Sequence, residues 1–179
     1  PELGERIRQG EERTDHFEDI LGSFLVKLSY KQLSQDESNE ATKLLKMIGD
    51  FERIGDHATG LAAAGRELHE KDMAFTDAAR LELDIICGAV SEVLELAISA
   101  FIHKDPASAA RVEALEEVVD DLKDDLRTRH IKRLQNGSCS IEAGFIWADL
   151  LTGLERISDH CSNIAACVMD TAKLNMNLH

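Results

Sequence analysis

Apolar residues recur at steps of three and four along almost the whole chain, the spacing by which a helix buries one face. One stripe runs Leu44, Ile48, Phe51, Gly55, Ala58, Ala62, and another runs Trp147, Leu151, Leu154, Ser158, Cys161, Ala165. Runs of β-branched and aromatic residues alternating with period two are missing, so no strand is expected. The pattern predicts five long helices. The first covers about 3–33. Ser34 with Glu37 three positions on is a capping box and opens the second, to about 69. Thr76 and Asp77 start the third, to about 103. Asp105 followed by Pro106 starts the fourth, which stops at Asn136-Gly137. Ser138 or Ser140, with Glu142, starts the fifth, to about 173; 174–179 is expected to fray. Helices of about thirty residues on short links pack as an antiparallel bundle, so the fold class is all-α.

The most informative feature is an internal repeat. Phe51-Glu52-Arg53-Ile54-Gly55-Asp56-His57 returns as Leu154-Glu155-Arg156-Ile157-Ser158-Asp159-His160, 103 positions later. Upstream, Glu11 and Asp15 return as Glu116 and Asp120, 105 positions later. The reading is a duplicated three-helix bundle whose first helix is missing, with an incomplete repeat over 1–75 and a complete one over 76–179.

Residues four apart on a helix are neighbours on one side, with Cβ atoms about 6 Å apart. Glu11 with Asp15, Glu52 with Asp56, Glu116 with Asp120 and Glu155 with Asp159 are therefore four carboxylate pairs on the flanks of helices. If the helices of a repeat are antiparallel neighbours, two pairs converge into an all-oxygen site for a cation such as iron, zinc, manganese, magnesium or calcium. The competing reading is a solvated acidic face, with Arg53 and Arg156 pairing to acids across helices. His57 and His160 directly follow the aspartates and point about 100° away, which suits a supporting role rather than ligation.

Composition narrows the function. The formal charge of −14 repels phosphate backbones and argues against nucleic-acid binding. Cys87, Cys139, Cys161 and Cys167 form no Cys-x-x-Cys pair and read as reduced core residues of a cytosolic protein. No signal peptide and no apolar run long enough to span a bilayer is expected. Glu-x-x-His, His-Glu-x-x-His, the Gly-x-x-x-x-Gly-Lys loop and the Gly-x-Ser-x-Gly elbow are all missing. No catalytic site and no organic cofactor is expected.

The duplicated Glu-Arg-Ile-x-Asp-His motif in an acidic helical chain resembles the PhoU family. The stretch from Leu25 through Ser34-Gln35-Asp36-Glu37 to Phe51-Glu52-Arg53-Ile54-Gly55-Asp56-His57 is especially similar to the PhoU-like tail of bacterial sodium/phosphate cotransporter-type proteins. The resemblance implies two tandem three-helix bundles. It also implies metal held by E/D-x-x-x-D motifs, matched here by Glu11/Asp15, Glu52/Asp56, Glu116/Asp120 and Glu155/Asp159. It implies a non-catalytic regulator of phosphate uptake acting in cis on a transporter membrane domain, or on another phosphate-transport or signalling protein. The expected location is the cytoplasmic side of the inner membrane, as part of a membrane protein. Asn163 matches an Asn that the family often places after the motif, whereas Gly60 stands there in the first repeat, which is expected to hold its cation less tightly. The uncovered face of the first bundle implies a homo-oligomer. The alternative function is a helical oligomerisation or scaffold module with no metal role.

Overall fold

The computed structural model describes residues 2–177, with five helices and no strand among them: α1 Glu2–Ser29, α2 Gln35–Glu70, α3 Asp77–His103, α4 Pro106–Gln135 and α5 Ile141–Asn177. The caps fall where the sequence places them. Ser34 and Glu37 form the reciprocal capping box of α2. Thr76 accepts from Ala79 N–H, and Asp105 accepts from Ala107 N–H with Pro106 in the first turn. Gly137 has φ of +73°, the left-handed conformation that glycine adopts freely. Two ends differ from expectation. Helix α1 stops at Ser29 rather than near 33, because the chain must turn before Ser34 takes its extended cap geometry. Helix α5 continues through 174–177, which were expected to fray; the rest of that tail, 178–179, lies outside the described residues.

Helices α3, α4 and α5 pack mutually as a closed three-helix bundle, while α2 packs on α5 and α1 packs on α2 alone. In the closed bundle the α5 stripe is buried throughout, from Trp147 through Leu151, Leu154, Ser158 and Cys161 to Ala165. It meets Ile86, Val90, Val93 and Ala97 of α3 and Val112, Val119 and Leu126 of α4. Trp147 also stacks on His130 and lies under the Arg133 guanidinium, which in turn bonds the buried Glu82 of α3 at 2.7 Å. One ion pair thus ties α3 to the aromatic centre of the bundle. Burial pushes the Cys161 thiol up to about 12, so it is an inert core residue, and all four cysteines are free.

The matching α2 stripe is only half-buried, and Leu44 is exposed. The repeat explains why. Phe17, Leu21 and Leu44 stand where Leu122, Leu126 and Trp147 stand in the second repeat. The second set lies in the core that α3 completes; the first set has no such helix over it among the described residues and is exposed.

One correction concerns α3. By length and composition it is apolar enough to cross a membrane, contrary to the expectation that no such run exists. Its buried face instead supplies Ile86, Val90, Val93, Ala97 and Ala100 to the bundle core. Replacing Ile86 by Ala is expected to cost about 2–5 kcal/mol, because it opens a cavity where nothing is exposed. Replacing the neighbouring exposed Ile85 by Ala should change stability by no more than about 0.5 kcal/mol. Urea unfolding of the two variants checks the contrast; equal losses would mean that α3 does not pack this way.

Candidate metal site

The carboxylate pairs lie along the α1–α2 and α4–α5 seams. In the second repeat the structure brings together Glu116 and Asp120 of α4 and Asp159 of α5, with carboxylate oxygens all within 4.8 Å of one another. Their donor set is oxygen only, which suits a hard cation. Glu155, the fourth expected member, is held elsewhere: Lys123 Nζ bonds its Oε1 at 2.6 Å. Lys123 is a member of this seam that the sequence reading missed. A lysine seven positions after Glu116, on the inward face of α4, was the available signal.

Burial and mutual repulsion raise the carboxyls of Glu116 and Asp159 above their ordinary range. For Glu116 the causes after burial are Asp120 and then Asp159; for Asp159 the next cause is Glu155. These groups strain against each other in the way that a cation would relieve.

The first repeat does not form the same close group. Glu11 is half-buried against α2, close enough that a Cβ on Gly55 would sit 3.7 Å from its Cα. That is an ordinary van der Waals distance, and the equivalent position of the second repeat carries Ser158. Asp15 lies exposed. Glu52 has its carboxyl raised by burial, then by Asp56, and in part by Glu18, another inward carboxylate that the motif search passed over.

The arginines do not bridge helices as the competing reading supposed. Arg53 reaches Glu52 and Asp56 of its own helix, each at 3.5 Å, and Arg156 reaches Asp159 at 3.1 Å and Glu155 at 3.7 Å. Both are more than half exposed, so these pairs stabilise little.

The two motif histidines lie away from the carboxylates, at the α2–α5 interface. Their rings stack at 5.7 Å, so the pseudo-twofold axis of the repeat passes between equivalent residues. Burial, then the neighbouring His160, lower the pKa of His57. His160 Nδ1 donates to Asp50 Oδ1 at 2.9 Å, and Asn163 donates to the same oxygen at 3.1 Å. Asn163 therefore serves the helix interface and not the carboxylate seam. Asp50 was not singled out in the sequence, where it reads as one more acid. The network has no mate across the axis, because the positions equivalent to Asp50 and Asn163 are Gly153 and Gly60. A groove of about 360 Å³ beside His57 lies there instead.

These features define a class: an internally duplicated, all-helical bundle carrying paired carboxylates along each half. The chain belongs to the PhoU family, whose PhoU domain description matches residues 1–64 and 83–168. It is 29% identical over 121 residues to the phosphate-specific transport system accessory protein PhoU homolog 1 of Thermotoga maritima, covering 68% of this chain and 51% of that protein. It is 28% identical over 170 residues to the corresponding PhoU homolog of Pseudomonas putida, covering 93% of this chain and 65% of that one. The chain thus spans between half and two thirds of these relatives. The crystal structure of PhoU from Pseudomonas aeruginosa superposes with a TM-score of 0.87 at 23% identity, over 96% of this chain and 81% of that one, and shows the same fold. The family is one of regulatory accessory proteins and not of enzymes, in agreement with the sequence reading. The expected location is corrected by the same comparison. These relatives are accessory proteins in their own right, so placement at the inner membrane as part of a membrane protein is overturned.

The raised carboxyls carry a sign. Their folded pKa values exceed the ordinary 4.5 of Glu116 and 3.8 of Asp159, so the folded chain binds their protons more tightly than the unfolded chain does. Their contribution to stability therefore falls as pH rises through the folded values, and it recovers as pH drops toward the ordinary ones. Glu116→Gln is expected to stabilise the metal-free protein at pH 7 by roughly 0.2–0.5 kcal/mol, with the gain shrinking near pH 5. Thermal unfolding at the two pH values measures this; a loss of stability at pH 7 would show that Glu116 is a structural partner.

Proposed function

We propose that this chain is a non-catalytic regulator of phosphate transport that acts on a separate transport or signalling protein, with cations held at its carboxylate seams. The observation that carries the reading is the convergence of Glu116, Asp120 and Asp159 within 4.8 Å, at positions that the internal repeat duplicates. Family membership and the names of the relatives support the phosphate-transport setting. Glu11, Asp15, Glu52 and Asp56 would hold a cation in the first repeat; Glu116, Asp120 and Asp159, joined by Glu155 on release from Lys123, would hold one in the second. When bound, the cation supplies charge that links two helices. The chain's own residues set the spacing of those helices and the donors offered to the ion.

The metal reading is tested on the purified chain by elemental analysis and by calorimetry with iron, zinc, manganese, magnesium and calcium. Uptake is expected in the wild type and is expected to fall in Glu155→Gln with Asp159→Asn. No uptake, or equal uptake by the double variant, leaves only a solvated acidic face. The regulatory reading is tested by radiolabelled phosphate uptake in cells with and without the chain; identical uptake in both counts against it.

Self-association is supported by the exposed Phe17, Leu21, Phe24, Leu44 and Leu45. The second-repeat counterparts of Phe17, Leu21 and Leu44, namely Leu122, Leu126 and Trp147, belong to the core that α3 shares, so the face is shaped to receive a helix. Exposed apolar area of this kind marks an interaction site. Sedimentation is expected to show a dimer or larger species at micromolar concentration, and Phe17→Asp with Leu44→Asp is expected to give a monomer. A wild-type monomer at high micromolar concentration would contradict this.

A further inference from the structure

Helix α3 has an outer side that the bundle does not use. Its buried stripe, Ile86, Val90, Val93 and Ala97, takes one face. Roughly 100–180° around the helix from that stripe stand Leu81 (65% exposed), Ile85 (59%) and Ile102 (63%). Asp84, Glu92 and Glu95 lie among them, all exposed. The helix is apolar enough in composition to cross a membrane, yet most of that stretch is not buried. Three acids on its outer side argue against lipid and for a protein cover. Bases do not offset these acids. Arg80 is the one arginine or lysine of α3 and falls on the other flank, and Arg129 and Arg133 of α4 are held by Glu82. Along α4, which borders this side, the exposed acids outnumber the exposed bases.

The open face of α1 and α2 has the complementary make-up. Its exposed apolar residues include Phe17, Leu21, Phe24 and Leu44. Arg6, Arg13 and Lys27 recur at multiples of seven along its outer edge, all exposed. They lie roughly 100–160° around α1 from the buried Leu25, on the opposite flank from Asp15. Among the described residues none of the three is ion-paired, whereas Arg8, on the carboxylate flank, is taken by Glu5 and Glu12. On α2 the bordering Glu37 is tied into its own helix cap, and Glu40 has Lys43 one turn on. A chain of net charge −14 thus carries a basic edge beside its uncovered apolar face.

One surface is a ridge with an acidic edge; the other is a furrow between two helices with a basic edge. Ridges fill furrows where helices pack. The closed bundle shows the same match, with α3 seated on α4 and α5 and its Glu82 held by Arg129 and Arg133. Two open faces set against each other would instead place furrow on furrow and bring two basic edges together.

We propose that this chain self-associates by seating the outer side of α3 of one copy on the open α1–α2 face of another, with Asp84, Glu92 and Glu95 toward Arg6, Arg13 and Lys27. This rests on the self-association reading above and adds the surface that fills the open face. The apolar residues supply the strength of the contact. The exposed charges set which surfaces meet and in which direction.

The test is sedimentation of the whole chain over a range of concentrations, with circular dichroism to show that each variant keeps its helices. Leu81→Asp with Ile85→Asp is expected to be monomeric, like Phe17→Asp with Leu44→Asp. Each variant keeps the surface that the other has lost, so an equimolar mixture should regain a species of two chains. Glu92→Lys with Glu95→Lys should weaken association by about tenfold, and adding Arg13→Glu with Lys27→Glu to the same chain should recover most of that loss. A wild type that associates while the α3 variant associates equally well, or a mixture that stays monomeric, overturns this proposal and leaves the self-association reading standing. A monomeric wild type overturns both.

Discussion

Helix α5 must bury two faces at once, and the rest of the architecture follows from how it does so. One face carries Trp147, Leu151, Leu154, Ser158, Cys161 and Ala165 into the core shared with α3 and α4. Another carries Ile164 and Cys167 against Met47, Phe51 and Ile54 of α2. Among the described residues no other helix touches three neighbours, so there α5 alone joins the closed bundle to the open pair. At the α2–α5 contact the His57–His160 stack and the Asp50–His160–Asn163 hydrogen bonds add direction to a contact that apolar packing alone leaves free to slide.

That arrangement also explains why the carboxylates stand where they do. The apolar stripes of α2 and α5 are committed to the core and to the interface. Glu52, Asp56, Glu155 and Asp159 fall on the flank, where each helix meets α1 or α4. A carboxylate there is close enough to its neighbours to feel them and still reached by water. The raised protonation of Glu52, Glu116 and Asp159 reflects this intermediate position. Deeper burial would make four like charges intolerable, and full exposure would leave them independent.

The duplication keeps the motif residues, Glu52 with Glu155, Arg53 with Arg156, Asp56 with Asp159 and His57 with His160, but changes the positions around them. Glu18 faces Lys123 in the alignment of repeats, Asp50 faces Gly153, and Gly60 faces Asn163. Each change alters charge or hydrogen bonding, and Gly153 also leaves room for Leu61, which a Cβ there would meet at 3.0 Å. The two halves therefore share the carboxylate pairs while differing in the residues beside them. The uncovered apolar face of α1 and α2, set against the covered equivalent under α3, is a further inequality between them.

The amino-acid sequence by itself determined the five helices, their caps and the matched motifs. These depend on local periodicity and on side chains that satisfy nearby backbone groups, both of which act within a few residues. It also marked Glu116 with Asp120 and Glu155 with Asp159, like Glu11 with Asp15 and Glu52 with Asp56, as same-side neighbours, because i,i+4 spacing is a local property of a helix. Only the tertiary structure decided that Glu155 is taken by Lys123, that Arg53 and Arg156 stay on their own helices, and that Asn163 turns to Asp50. It likewise decided that Leu44 lies exposed while its counterpart Trp147 is buried. Those outcomes depend on rotation and height between helices far apart in the chain. A one-dimensional pattern specifies which face of a helix is apolar, but not which charge on the neighbouring helix will stand opposite it.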